Sequence, residues 1–122
     1  MEEHDKMYKE HLMELYKSPA NYGNLENPTH SHTETNASCG DEITMQLLVS
    51  DGKIADVKFH GSGCVMSIVS SSLLSDKIKG MPVSEAINLS KDDVLELLKI
   101  NLNPARLKCV TLPLYAIKNS LK

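Results

Sequence analysis

A chain of 122 residues with a net charge of −3 has room for one domain built on one core. Its hydrophobic fraction of 41% and charged fraction of 24% exclude a disordered or collagenous chain. No apolar run approaches the roughly 18 residues that cross a bilayer, and the acidic start Met1-Glu2-Glu3-His4-Asp5 is unlike a secretory signal. The expectation is a cytoplasmic protein with no membrane partner. Four tyrosines, one phenylalanine and no tryptophan on an acidic chain leave little with which to grip phosphates or stack bases, so no nucleic-acid partner is expected either.

Met7, Tyr8, Leu12, Leu15 and Tyr16 fall on one stripe of a first helix. Ser18-Pro19 ends it, because the residue before a proline is pushed out of the α region. Asn21-Tyr22-Gly23-Asn24 reads as a turn, so residues 1–24 form the N-terminal helix and turn. Residues 25–38 are polar and read as a mobile loop, with a short edge strand near Thr33 to Thr35. Ile43, Met45, Leu47 and Val49 then recur at the two-residue period of a strand with one buried face. Asp51-Gly52 is a strong hairpin signal, since both central positions of a type I′ turn need positive φ. Ile54, Val57 and Phe59 carry the returning strand, out of strict alternation.

After Gly61-Ser62-Gly63-Cys64, apolar residues from Val65 to Ile78 keep a helical period. Ser67, Ser70, Ser71, Ser72 and Ser75 make the other side of that helix small enough to pack closely on a sheet. A short helix around Val83 to Leu89 is expected next. Ser90 and Asp93 then form a capping box for a helix through Ile100. Pro113 places the last helix: a proline in a helix interior costs about 3 kcal/mol or more, whereas one in the first turn lacks an N–H that had no partner anyway. That helix is therefore expected to begin near Cys109 or Val110, with Val110, Leu114, Ile117 and Leu121 as its buried stripe. The fold class is α+β: a small antiparallel sheet, hairpin plus edge strand, with helices packed on one face, as a single domain over residues 1–122.

Cys39, Cys64 and Cys109 are too few and too widely spaced for a disulfide framework or a CxxC metal site. Buried cysteines acting as small hydrophobes would be the blander reading, but their neighbours are polar. Cys64 follows a Gly-Ser-Gly turn and opens a helix, and Cys109 is read at the start of the last helix beside Lys108 and near Arg106. A helix N-terminus offers about 0.3 to 2 kcal/mol to an anion, and a cation adds to that. Cys39 sits in a turn two residues from Asp41, where two negative charges repel unless a cation lies between them. Three thiolates and a carboxylate meeting at one end of a sheet would carry a charge of −4 and suit a +2 guest. Zinc and an oxidised [2Fe-2S] core both qualify. The aspartate oxygen is harder than the thiolates and a poorer match for a cluster, which suits a protein that hands its cluster on.

The blocks Asn36 to Asp41 (NASCGD), Gly61 to Ser72 (GSGCVMSIVSSS) and Pro104 to Leu112 (PARLKCVTL), in this order with the Asp-Gly hairpin between the first two, resemble the IscU/SufU/NifU family of iron-sulfur cluster assembly scaffolds. The resemblance runs from about Tyr8 to Leu121. It implies that Cys39, Asp41, Cys64 and Cys109 bind a transient [2Fe-2S] cluster or, in the cluster-free form, zinc. It also implies that iron joins sulfur delivered as persulfide by a cysteine desulfurase, and that apo iron-sulfur proteins receive the product. Such a chain is a scaffold rather than an enzyme; the alternative is a SufU-like, zinc-dependent persulfide acceptor. Cys109 is the candidate acceptor, with Lys108 assisting its thiolate. Lys108 stands where IscU-type members commonly carry a histidine, as in SufU-type members. Leu102-Asn103-Pro104-Ala105-Arg106 replaces the chaperone motif of the bacterial IscU branch, and the long SufU insertion between the second and third cysteine blocks is absent. A homo-oligomer would shield an exposed cluster. His4, His11, His30 and His32 are read as solvated or loop residues, and His60 as a surface or hydrogen-bonding group close enough to turn toward the site.

Overall fold

The computed structural model describes residues 2–36, 40–98 and 104–122. Helix α1 (Glu2–Lys17) is followed by strands β1 (His30–Asn36), β2 (Asp41–Ser50) and β3 (Lys53–Ser62). Helices α2 (Val65–Ile78), α3 (Val83–Ala86), α4 (Lys91–Leu98) and α5 (Pro104–Ser120) complete the order. The three strands form an antiparallel sheet in the order β1-β2-β3. Both α2 and α5 pack against it, as the α+β pattern required.

The hairpin turn is built as its sequence demands, with Asp51 at φ 54° and Gly52 at φ 76° between the paired Ser50 and Lys53. The broken alternation on the return strand has a local cause. Register slips between Leu48 and Val49, which face Asp56 and Ile54, so Ala55 is the extra residue of a bulge. The bulge resets the phase and puts Ile54, Val57 and Phe59 all on the buried face, opposite Ile43, Met45 and Leu47. His60 pairs with Thr44 on the opposite, uncovered face, so it does not turn toward the cysteines.

Two expectations are corrected. Residues 30–36 form a seven-residue strand rather than a loop with a short strand near Thr33 to Thr35, and it pairs with β2 along its whole length. It shows no hydrophobic alternation because its inward positions are polar and are satisfied by polar partners. Glu34 accepts a hydrogen bond from the Asn119 amide of α5 and pairs with His32 at 2.9 Å, while His30 meets Thr29 at 2.9 Å. Helix α5, second, begins at Pro104 and not near Cys109, so Pro113 lies in its interior. The N–H that residue 113 would give to the Cys109 carbonyl is missing, and α2 approaches from outside at that level. Ser67 Oγ stands 3.2 Å from the Cys109 carbonyl and Ser70 Oγ 2.6 Å from that of Val110. Pro104 occupies the first helical position, where a proline costs nothing. The expected stripe is otherwise in place, with Val110, Leu114 and Ile117 buried and Leu121 packed beside them.

The serine side of α2 does more than permit close approach. Ser72 Oγ accepts the Ala20 N–H at 2.9 Å, and Ser75 Oγ accepts from the Asn21 amide at 2.9 Å, fastening the turn after α1 to α2. The capping box forms at the start of α4: Ser90 N–H donates to Asp93 Oδ2 at 2.8 Å and Ser90 Oγ–H at 3.1 Å. These two donors, the backbone one first, hold the exposed Asp93 carboxyl below its ordinary value of 3.8. A depressed folded-state value means the stabilisation is complete above the unfolded value and is lost as pH falls through the folded one. The stability difference between the native chain and Asp93→Asn, read from urea midpoints, should therefore be constant near neutrality and shrink only below about pH 4.

Candidate metal centre

Three of the four residues singled out in the sequence come from three different elements and meet at one end of the sheet. Asp41 is the first residue of β2 and is buried, Cys64 is the half-buried N-cap residue of α2, and Cys109 lies buried on α5. One carboxylate oxygen and the two sulfurs lie within 4.8 Å of one another. Around a tetrahedral zinc with Zn–S of about 2.3 Å, neighbouring sulfurs stand about 3.8 Å apart, so movements on the order of 1 Å close this group on an ion. Two soft sulfurs and one hard oxygen fit zinc directly, and the sulfurs fit an iron-sulfur unit. Cys39, the fourth expected ligand, lies outside the described residues, as do Leu102 and Asn103 and the Arg106 side chain.

Glycines make two close approaches possible, of β3 to β2 at Gly61 and of β2 to α2 at Gly63. A Cβ on Gly61, where φ is +144°, would stand 2.0 Å from the Glu42 carbonyl oxygen. A Cβ on Gly63 would press on Asp41 Cγ at 3.0 Å and on Ser67 Cβ at 3.1 Å. With no Cβ on Gly63, the Asp41 carboxylate slides beneath the first turn of α2. Its Oδ1 accepts the Cys64 N–H at 3.2 Å and its Oδ2 accepts the Ser67 hydroxyl at 2.5 Å. The carboxylate thus occupies the positive end of α2, the favourable place for a negative group. Ser67 Oγ is also 3.6 Å from Cys64 Sγ. This fully buried serine was hidden among the five serines of α2; its only sequence signal is its place three residues after Cys64.

The placement of Cys109 differs from the expectation. As the sixth residue of α5 it is not at a helix start, so the helix end that favours an anion at Cys64 does not serve it. Lys108 is exposed, with no ion-pair partner among the described residues. His30 is engaged with Thr29 and His32 with Glu34, and the two histidines pair with Leu47 and Met45 of β2, several residues along the strand from Asp41.

An α+β chain that gathers an aspartate and two cysteines at the mouth of a three-stranded sheet is defined as a class by that centre. The family model of the NifU-like N terminal domain matches residues 7–122, and the chain belongs to that family. The iron-sulfur cluster assembly scaffold protein IscU of Thermotoga maritima is 35% identical, covering 95% of this chain and 93% of that protein. The zinc-dependent sulfurtransferase SufU of Bacillus subtilis is 30% identical over 96% of this chain and 90% of its own. The crystal structure of the SUF-system protein FiSufU from Fervidobacterium islandicum superposes with a TM-score of 0.77 at 29% identity, over 91% of this chain and 93% of that one.

Because Gly63 leaves room for the carboxylate, Gly63→Ala should lower zinc affinity by about 10-fold or more while the far-ultraviolet circular dichroism stays native. Competition with a chromophoric chelator measures the first, and an unchanged affinity would show that the close approach is not needed for binding.

Proposed function

We propose that this chain is a scaffold on which a [2Fe-2S] unit is assembled from iron and persulfide sulfur and then passed to apo-proteins. The observation that carries the reading is the convergence of Asp41, Cys64 and Cys109 from three elements to within 4.8 Å. The scaffold names of the Thermotoga relative and of others at 30–35% identity support it. Cys39, Asp41, Cys64 and Cys109 are the proposed ligands. The cluster is cargo, and zinc is the proposed occupant of the cluster-free site. No helix among the described residues is long and apolar enough to cross a membrane.

Sulfur arrives from a cysteine desulfurase. A scaffold thiolate attacks the outer sulfur of the partner's persulfide, the S–S bond breaks, the partner's thiolate leaves, and the scaffold cysteine carries the persulfide. Cys109 is the proposed acceptor, with Lys108, its neighbour in sequence, as the proposed assistant to its thiolate. At 6% exposure, Cys109 meets a partner's persulfide only when docking uncovers it. Cys64 is the more accessible of the two described thiols. Iodoacetamide should accordingly modify Cys64 before Cys109 in the free protein, and added desulfurase should raise the rate at Cys109. Equal rates in both conditions would remove Cys109 as the acceptor.

The carboxylate gives the site its weak point. An oxygen ligand among thiolates binds iron less firmly, so the carboxylate is the ligand that releases iron first. Anaerobic incubation with ferrous iron, cysteine, a desulfurase and a thiol reductant, which supplies the remaining electrons that turn persulfide sulfur into sulfide, should give the visible chromophore of one [2Fe-2S] per site. Cys64→Ser and Cys109→Ser should each lose it, and Asp41→Ala should keep the cluster longer on exposure to air. Faster loss from Asp41→Ala contradicts the weak-ligand argument. The Bacillus relative's name supports a second reading, zinc exchanged for persulfide without cluster assembly; iron, sulfide and zinc analysis of protein kept free of oxygen separates the two.

A further inference from the structure

Ser67 is fully buried, and its one hydroxyl touches a group of each of the three converging residues. It lies 2.5 Å from Asp41 Oδ2, 3.6 Å from Cys64 Sγ and 3.2 Å from the Cys109 carbonyl. These groups belong to β2, α2 and α5. We propose that Ser67 is a positioning residue for the metal centre, orienting the Asp41 carboxylate so that it meets an ion held by Cys64 and Cys109. The proposal rests on the metal-binding reading given above.

The hydroxyl has a single proton and two oxygen acceptors. The shorter contact, to a carboxylate, is charge-assisted and takes it. With Oδ1 on the Cys64 N–H and Oδ2 on Ser67, both oxygens of Asp41 are fixed in direction. A carboxylate held at two points loses less freedom on binding than one free to rotate, which is how hydrogen-bonded neighbours of ligands strengthen metal sites. Gly63 shapes the same arrangement from the other side, since a side chain there would push on both Asp41 and Ser67. Ser70, one turn further along α2, reaches the α5 backbone at Val110 in the same manner. It serves as a control for helix packing alone.

The test is zinc affinity at fixed pH, measured against a chromophoric chelator for the native chain, Ser67→Ala, Ser70→Ala, Asp41→Ala and the Asp41→Ala/Ser67→Ala double variant. Ser67→Ala should bind zinc about 10-fold more weakly, and Ser70→Ala within a factor of two of the native chain. In the Asp41→Ala background, removal of Ser67 should change nothing further, because the serine acts through the carboxylate. An equal loss with and without Asp41, or a tighter site in Ser67→Ala, overturns the proposal. Failure of the native chain itself to bind zinc overturns instead the reading of the site as a metal centre.

Discussion

The carboxylate of Asp41 beneath the first turn of α2 is the constraint on which the rest of the arrangement depends. Its two oxygens take the Cys64 N–H and the Ser67 hydroxyl, and so tie the beginning of β2 to the beginning of α2. That proximity needs Gly63, whose missing Cβ leaves space for the carboxylate, while the missing Cβ of Gly61 lets β3 lie close against β2 at the Glu42 carbonyl. Once α2 is seated, Ser67 and Ser70 approach the α5 backbone at Cys109 and Val110, and the third site residue is brought in by the same helix. A buried carboxylate is costly without donors; here the donors belong to the elements that the site must hold together.

The elements governed by local rules were the legible ones. The Asp51-Gly52 turn, the alternation from Ile43 to Val49 and the apolar period of α2 each follow from neighbours a few residues away. Strand β1 was hidden because its inward residues, His30, His32 and Glu34, are polar, and Glu34 is completed by Asn119, 85 positions later. The start of α5 was misplaced for a related reason. The rule that bars proline from a helix interior states a cost and not a prohibition, and α5, packed against α2 and the sheet, keeps its helical path through Pro113 despite the one lost hydrogen bond.

At the site, cysteine and aspartate identity marked Cys64, Cys109 and Asp41 as partners although 68 positions separate the outermost pair in the sequence. Cys39 was marked with them and lies outside the described residues. Ser67 carried no comparable mark, since a serine in a serine-rich helix has the same appearance whether its hydroxyl serves the helix or a neighbour's carboxylate. Burial set Cys109 apart from Cys64, a difference that depends on what packs over each sulfur and not on the residues beside it.

The contribution of one residue from each of β2, α2 and α5 has a consequence for the newly made chain. Synthesis runs from the N-terminus, so the oxygen at 41 and the sulfur at 64 emerge well before the sulfur at 109. An ion that meets the chain before α5 has docked finds an open, partial set of donors and departs readily. If these three residues form the metal centre proposed above, loading reports on completed folding.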